Sequence, residues 1–379
     1  MPSPASLGLV LAEFEENFRS RGEIGASLSI WWNGQEVLEF SQGWCEAGRQ
    51  RPWTRETLVP VYSATKAPAA ATLLMALDLH GLGLATPVRE VWPRFPVEQA
   101  TFAQMLSHQC GLPALDQDAS VWRHDEIVAA IENQKPAWQP GEGHGYHPRT
   151  FGALVDEPVR RLTGAPLGWF WRARIAGPLG LDFWIGLPAA EHPRVATLYP
   201  GKASPADFEE GFYKAFQTPG SLTQRSFASP RGLRSVREMN DPSAWAAGLP
   251  AMGGIGTARA LAKFYQAAAG LIESPLTPAV RQALAARIIE GEDKVLLKPT
   301  AFSAGCQLDP TDPLGSKVRH LYGPGIDSFG HPGAGGSHAF ADPLHGISFA
   351  YTMNQMELSV MPGIRATSLI GALYDGWAG

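Results

Sequence analysis

The chain has 379 residues and a formal net charge of -5, with 45% hydrophobic and 18% charged residues. This length exceeds what one hydrophobic core normally serves, so two structural lobes are expected. The charge balance offers no basic surface for nucleic acid, which is therefore excluded as an expected partner. The N-terminus lacks a basic segment followed by an apolar run, and no window is apolar for the length of a bilayer. We therefore expect no secretory signal and no membrane span, and predict a cytoplasmic protein.

The first elements of the chain have strong local signals. The pair Asn33-Gly34 lies between two strand-like segments and is the strongest hairpin signal in the sequence. The Ala/Leu-rich stretch that ends at Gly81 has the composition of a buried helix. These patterns predict a helix at 7–18, a hairpin of strands 27–32 and 35–43, and a helix at 64–81.

The middle of the chain alternates short helical patterns with long connections rich in proline and glycine. The predicted helices are 102–109, 125–133, 151–164 and 257–270. The four residues 253–256 (Gly-Gly-Ile-Gly) are expected to open the last of these helices. Residues 199–250 have few periodic signals and are predicted to be a long connection, of the kind that often forms a binding wall or lid.

Strand patterns return near the C-terminus. We predict strands at 301–308, 327–333, 337–343 and 346–355, and a final helix at 364–378. The sequence thus predicts an α/β (α+β) fold, with one antiparallel sheet flanked by the N- and C-terminal helices and a mostly helical second lobe. The expected sheet domain comprises residues 1–62 and 300–379, the helical domain residues 63–299, and a site is expected at their interface.

The first group of residues capable of chemistry is Ser63-Ala64-Thr65-Lys66. On a helix Lys66 would lie one turn from Ser63, and a lysine buried against an apolar helix loses its proton more readily. A serine hydroxyl becomes nucleophilic when such a base accepts its proton. Taken alone, the motif is more typical of a capping serine and a solvated lysine.

Two further segments add candidate residues. Tyr146 lies in a glycine-rich loop, where its phenol could relay a proton if it met the lysine. Residues 329–336 contain His331 and Gly333 in a glycine-rich strand context, which marks the close approach of another backbone or a ligand. Taken singly, each is also consistent with an ordinary surface loop.

Together, these three motifs resemble those of the serine β-lactamase and penicillin-binding-protein superfamily, and the chain is most similar to class C β-lactamases and family VIII carboxylesterases. In that superfamily the motifs are Ser-x-x-Lys, a loop tyrosine and a Lys/His-x-Gly strand, in this order. The resemblance covers residues 10–375. It implies Ser63 as the acylated nucleophile, Lys66 and Tyr146 as its activators, and an oxyanion hole made by the backbone N–H groups of Ser63 and Ala334.

Two departures from the β-lactamase pattern bear on the substrate. Tyr146-His147-Pro148 replaces Tyr-x-Asn, and proline cannot supply the hydrogen bonds of an asparagine side chain. His331-Pro332-Gly333 replaces Lys-Thr-Gly, and histidine carries less charge than lysine at neutral pH. His331 and Gly333 are therefore expected to bind substrate, but less as a carboxylate receptor. A carboxylesterase acting on small or medium acyl esters is expected first, and an amidase or D-aminopeptidase, a weak β-lactamase or a catalytically silent scaffold are the alternatives.

Other chemistry has weaker support. The glycines at 253–256 lack the strand and the later acid of a nucleotide site, and the histidines at 331, 338 and 345 have no accompanying acid cluster for a metal. Cys45, Cys110 and Cys306 are scattered and odd in number, so we expect buried thiols rather than disulfides, with a cysteine nucleophile as the minor alternative. No cofactor and no metal are predicted, a small-molecule ester or amide is the expected partner, and the oligomeric state is left open.

Overall fold

The main sheet of the protein has eight antiparallel strands. The computed structural model describes residues 2–202 and 211–375 of the chain. The strands pair in the order β2-β1-β11-β10-β9-β8-β7-β6. Their bounds are β1 (Gly25–Trp32), β2 (Gln35–Gly43), β6 (Ile289–Glu292), β7 (Pro299–Phe302), β8 (Gln307–Leu308), β9 (Phe329–Pro332), β10 (His338–Asp342) and β11 (Ile347–Met353). A second sheet has the order β3-β5-β4, with β3 (Val59–Pro60), β4 (Phe183–Ile185) and β5 (Gly254–Gly256).

The helices lie around these sheets and fill the middle of the chain. Their bounds are α1 (Pro4–Arg19), α2 (Lys66–Leu79), α3 (Phe102–Leu106), α4 (His124–Glu132), α5 (Phe151–Thr163), α6 (Leu167–Trp171), α7 (Gly177–Leu179), α8 (Gly211–Gln217), α9 (Leu222–Ala228), α10 (Val236–Met239), α11 (Pro242–Ala246), α12 (Ala258–Ala268), α13 (Pro278–Ala285) and α14 (Ile364–Asp375). The predicted end of the last helix, at 376–378, lies outside the described residues.

The first and last helices cover one face of the large sheet. Ser3 caps α1 by accepting a hydrogen bond from the Ser6 N–H, and the buried side of α1 packs with α14 on the sheet. The rings of Phe14 and Tyr351 meet edge to face at 6.3 Å between centroids. Helix α12 packs on the sheet as well, against β1, β10 and β11. The predicted fold class, an antiparallel sheet flanked by the terminal helices with a mostly helical remainder, is confirmed.

The hairpin of β1 and β2 forms at Asn33-Gly34 as predicted. Both residues have positive φ, 44° and 85°, which is the requirement of the two-residue turn that matches the strand twist. Strand β6 precedes residue 300 yet joins the large sheet. The division into two domains at residues 62/63 and 299/300 stays a prediction.

Helix α2 is the buried axis of the helical region. Every residue from Lys66 to Leu77 is buried, so this helix has no solvent face and its apolar character is continuous. It packs against α5, α6 and α13. Because Lys66 is its first residue, the helix carries that amine into the core.

Three sequence predictions differ from the structure in the type or the number of elements. Residues 301–308 form β7 and β8 rather than one strand, because Gly305 (φ +89°) turns the chain where a Cβ would lie 2.1 Å from Ala70. Residues 253–256 do not open a helix; Gly254–Gly256 is strand β5, packed so closely on Phe183 that a Cβ at Gly254 would lie 2.6 Å from its ring.

The third difference concerns the predicted long connection at 199–250. Its described part contains α8, α9, α10 and α11, each four to seven residues long, which is too short to produce a periodic pattern. Ser221, Ser235 and Asp241 cap the last three of these helices through their side-chain oxygens. Residues 203–210 of this predicted connection lie outside the described residues.

Candidate active site

Ser63 lies where the small sheet passes into α2. It begins a single 3-10 turn, Ser63–Thr65, which continues directly into that helix. The preceding Tyr62 has φ +47° and ψ -130°, a conformation that costs a non-glycine residue roughly 1–3 kcal/mol. The Val61 N–H donates to the Gly254 carbonyl at 3.0 Å, so strand β5 fixes the chain just before the serine. This strained entry turns the Ser63 side chain toward a cavity that it helps to line.

The Lys66 amine makes three hydrogen-bonding contacts. Its Nζ lies 3.1 Å from Ser63 Oγ, 2.9 Å from the Pro148 carbonyl oxygen and 2.8 Å from the Ala251 carbonyl oxygen. The side chain is fully buried. The two carbonyls can only accept, so they take two N–H bonds and direct the third tetrahedral position of the nitrogen at the serine oxygen.

Burial lowers the pKa of Lys66 well below its ordinary value. Within the described residues no carboxylate lies close enough to form an ion pair with this amine and restore its charge. In the neutral amine the third position is a lone pair, which can accept the Ser63 proton. The geometry and the charge state together give Lys66 the properties of a general base.

Tyr146 completes the contact predicted for these three side chains. Its phenol is hydrogen-bonded with the Ser63 side chain, and the Lys66 nitrogen lies 4.9 Å from its ring centroid. Burial raises the pKa of the Tyr146 phenol, and the charge of Asp293 raises it further against the opposing bond to Ser63. The phenol is therefore neutral near pH 7 and has a proton to donate.

Asp293 is a site residue that the sequence did not reveal. Its carboxyl oxygens accept the Tyr146 N–H at 3.0 and 3.1 Å and the N–H groups of Val295 and Leu296 at 2.8 Å each. Thr300 Oγ1 donates to it at 3.1 Å, and the side chain is wholly buried. Asp293 thus fixes the tyrosine loop to the turn between β6 and β7.

The two residues that follow the tyrosine have structural partners. His147 Nε2 accepts the Leu112 N–H at 2.9 Å, so its Nδ1 carries the proton and donates to the Gly145 carbonyl at 2.7 Å. Pro148 offers its carbonyl to Lys66. This segment supplies main-chain contacts where an asparagine would supply a side-chain amide.

His331 is buried behind Tyr146 rather than in the cavity lining. Its Nδ1 donates to the Pro332 carbonyl at 2.8 Å, and its ring centroid lies 5.9 Å from that of Tyr146. Burial lowers the pKa of His331 to about 3, with the nearby Lys66 acting in the same direction. The imidazole is therefore uncharged at neutral pH and cannot act as a cationic carboxylate receptor.

Gly333 and Ala334 bring the third motif to the nucleophile. A Cβ at Gly333 would lie 2.0 Å from the Val61 carbonyl oxygen, so only glycine permits this approach. Ala334 and Ser63 both line the same cavity. Within residues 2–202 and 211–375, neither the Ser63 N–H nor the Ala334 N–H has a hydrogen-bond acceptor. Both donors remain available to a carbonyl oxygen in the cavity.

The cavity has a volume of about 480 Å³, within the range of small-molecule sites. Ser63 lies on one side of it, and aromatic and aliphatic side chains from α8, α9 and residues 356–360 form much of the rest. Lys66, Tyr146, His331 and Gly333 lie behind this surface. The structure thus brings together all the predicted site residues, with Ser63 and Ala334 in the lining.

Metal-ligating side chains and cysteine thiols are the other candidate groups for chemistry. No group of three metal-ligating side chains that could hold an ion occurs in the described parts of the chain. The three cysteines are buried and unpaired, and burial raises the pKa of each thiol. None of the helices found among the described residues is both long and apolar enough to cross a membrane.

Comparison with known proteins gives consistent matches. Residues 11–370 match the family model described as Beta-lactamase. The chain is 29% identical over 380 residues to Esterase/beta-lactamase LipL of Mycobacterium tuberculosis (strain ATCC 25618 / H37Rv), covering 92% of this chain and 81% of that protein. A penicillin-binding protein homolog from Caulobacter crescentus is 34% identical, with a TM-score of 0.84 and 99% of both chains covered. A family VIII carboxylesterase is 31% identical, with a TM-score of 0.85, covering 99% of this chain and 98% of that one.

Proposed function

This chain belongs to the beta-lactamase family, and from that premise we propose that it is a serine hydrolase acting through an acyl-enzyme on Ser63. One observation carries the proposal: the buried Lys66 amine lies 3.1 Å from Ser63 Oγ, held by two carbonyls and without an acidic partner among the described residues. A structural lysine in a core would normally be paired with an acid. An unpaired amine against a hydroxyl is the arrangement needed to activate that hydroxyl.

In the first step Lys66 accepts the Ser63 proton as Oγ attacks the carbonyl carbon of the substrate. The carbonyl oxygen takes the negative charge and accepts hydrogen bonds from the N–H groups of Ser63 and Ala334, an effect worth about 3–4 kcal/mol of barrier. The Tyr146 phenol donates its proton to the leaving oxygen and regains one from the Lys66 ammonium. The alcohol leaves, and the acyl group remains on Ser63.

In the second step a water molecule replaces the alcohol. Lys66, neutral again, accepts a proton from this water through Tyr146 or directly, and the resulting hydroxide attacks the acyl carbon. The Ser63 oxygen leaves and takes the proton back. The sum is one ester and one water converted to one acid and one alcohol, with the enzyme unchanged.

We propose a carboxylic ester as the substrate. His331 is neutral, so it offers no charge to the carboxylate of a penicillin. Pro148 contacts Lys66 through its backbone carbonyl and has no side-chain amide to hold the amide of a penicillin. The esterase relatives at 29–31% identity support the same choice. Amides remain the second candidate, because the Tyr146 phenol could equally protonate a leaving amine.

The test is hydrolysis of p-nitrophenyl butyrate by the wild type and by Ser63→Ala. Turnover by the wild type and its loss by at least a thousandfold in the variant are expected, because the remaining groups cannot supply a nucleophile. Ser20→Ala, on the exposed end of α1, is the matched control and should retain the wild-type rate. Full activity in Ser63→Ala would end the proposal, and a panel of amides and nitrocefin on the wild type then ranks the substrate classes.

A further inference from the structure

Helices α8 and α9 present a cluster of four aromatic side chains to the cavity, here called the aromatic wall: Phe212, Tyr213, Phe216 and Phe227. The Phe212 and Phe227 rings meet edge to face at 5.6 Å, and Phe216 lies 5.5 Å from Phe227. Phe216 remains 42% exposed although it lines the cavity. An aromatic face left open beside a nucleophile is a surface that an apolar ligand group can cover.

The aromatic wall is attached to the tyrosine loop through Arg149. This residue follows Tyr146 by three positions, and its guanidinium donates to the carbonyls of Phe227, Gly232 and Leu233. Arg149 is itself buried and lines the cavity. Arg149 therefore ties the tyrosine loop to the end of α9 by one hydrogen bond and to residues 232–233, just beyond that helix, by two more.

Two more contacts attach the aromatic wall to the other catalytic elements. Tyr213 donates from its hydroxyl to the Leu358 carbonyl at 2.8 Å. The residues on either side of Leu358 pair with Gly335, next to the predicted oxyanion donor Ala334. Thr223 Oγ1 of α9 donates to the Val295 carbonyl at 2.8 Å, in the turn that Asp293 organises.

The geometry points to the aromatic wall as a preformed recognition surface, and we propose that the enzyme prefers esters with an aromatic or similarly bulky apolar group on the acyl or the alcohol side. This inference rests on the proposed function. Three attachments to catalytic elements fix the distance between the aromatic wall and Ser63, so a group stacked on the wall also places the ester carbonyl. Arg149 acts as a positioning residue in this arrangement, since its guanidinium is bound to three backbone carbonyls and holds the tyrosine loop against the aromatic wall.

The experiment compares two matched ester pairs by pH-stat titration, each rate divided by that of hydroxide-catalysed hydrolysis. Ethyl acetate and ethyl phenylacetate differ only in the acyl group, and methyl butanoate and benzyl butanoate only in the alcohol. We expect kcat/KM to favour the aromatic member at least tenfold in one pair. In Phe216→Ala that preference should fall at least fivefold, whereas Trp169→Ala, which removes an exposed aromatic ring outside the cavity lining, should retain it.

The outcomes separate this inference from the proposed function. If the wild type hydrolyses none of the four esters, the esterase proposal itself fails. If it hydrolyses them but both ratios lie within twofold of unity, or if Phe216→Ala keeps the wild-type preference, only the aromatic wall loses its role.

Arg149→Lys tests the positioning role, because an ammonium cannot reach three carbonyls in fixed directions. We expect it to raise KM for the preferred aromatic ester at least fivefold more than for its small counterpart. Equal losses on both members of the pair would identify a general structural role and remove Arg149 from the proposal.

Discussion

Replacing Asp293 with asparagine tests how the catalytic tyrosine is held. The carboxyl group accepts the Tyr146 N–H with both oxygens, and its second oxygen also accepts from Thr300. If the asparagine oxygen takes the place of the first carboxyl oxygen, its NH₂ group takes the place of the second. That NH₂ group then faces the Tyr146 N–H and the Thr300 hydroxyl, which are themselves donors. About two hydrogen bonds are lost, and at roughly 1.5 kcal/mol each for bonds to a charged group the free energy of unfolding falls by about 3 kcal/mol.

The same change should lower catalysis, since the loop that carries Tyr146 loses one of the two oxygens that hold it, and an NH₂ group pushes against its N–H in that place. A displacement of about 1 Å in a catalytic group costs on the order of 100-fold in rate, and that is the loss of kcat expected for Asp293→Asn. The assay is steady-state hydrolysis of p-nitrophenyl butyrate at a temperature where circular dichroism shows the variant to be fully folded. Thermal denaturation measured on the same sample gives the loss of stability.

A matched control is available in Asp309, which is equally buried and accepts the N–H groups of Leu321 and Tyr322 as well as an ion pair with Lys317. Asp309→Asn should lower stability by a similar amount and leave kcat within about twofold of wild type, because Asp309 makes none of its hydrogen bonds to the loop that carries Tyr146. A wild-type kcat in Asp293→Asn, or an equal loss of kcat in both variants, would refute the assigned role of Asp293.

Three further predictions follow from the site. Tyr146→Phe should lower kcat/KM by roughly 100- to 10,000-fold while the circular dichroism spectrum stays native, and a wild-type rate would remove the phenol from the mechanism. The pH profile of kcat/KM should rise from acid as Lys66 loses its proton and stay level to about pH 10, because the pKa of Lys66 is lowered and that of Tyr146 is raised; a fall before pH 9 would contradict a neutral phenol. Gly333→Ala should lower the melting temperature and turnover, because its Cβ would overlap the Val61 carbonyl at a cost of about 1–3 kcal/mol; an unchanged melting temperature would refute that close approach.

The parts of the fold predicted from sequence are those with strong local signals. Asn33-Gly34 specifies its turn through backbone conformations that few other pairs adopt. The continuous apolar run of α2 indicates a helix that is buried on all sides. The shorter elements were not predicted because they are too short to show a periodic pattern; α10, with four residues, spans barely one helical turn. Strand β6 was not predicted either, since it is short and is defined by its pairing with β7.

The site was predictable to the extent that its chemistry lies in short motifs. Ser63 and Lys66 are three residues apart on one helical turn, so their contact follows from local geometry. Asp293 lies 147 residues from Tyr146 and is a single acid in an ordinary turn, so no pattern in one sequence links the two. The neutral state of His331 likewise depends on burial by distant segments.

The most direct test of the central claim is the labelling of Ser63 by a fluorophosphonate, followed by peptide mass spectrometry between pH 5 and pH 10. We expect one adduct, on the Ser63 peptide, whose rate of formation rises with pH to a plateau as Lys66 becomes neutral. In Lys66→Met this rate should fall by at least a hundredfold. An adduct on another residue would show that Ser63 is not the nucleophile, and labelling of Lys66→Met at the wild-type rate would show that Lys66 is not its base.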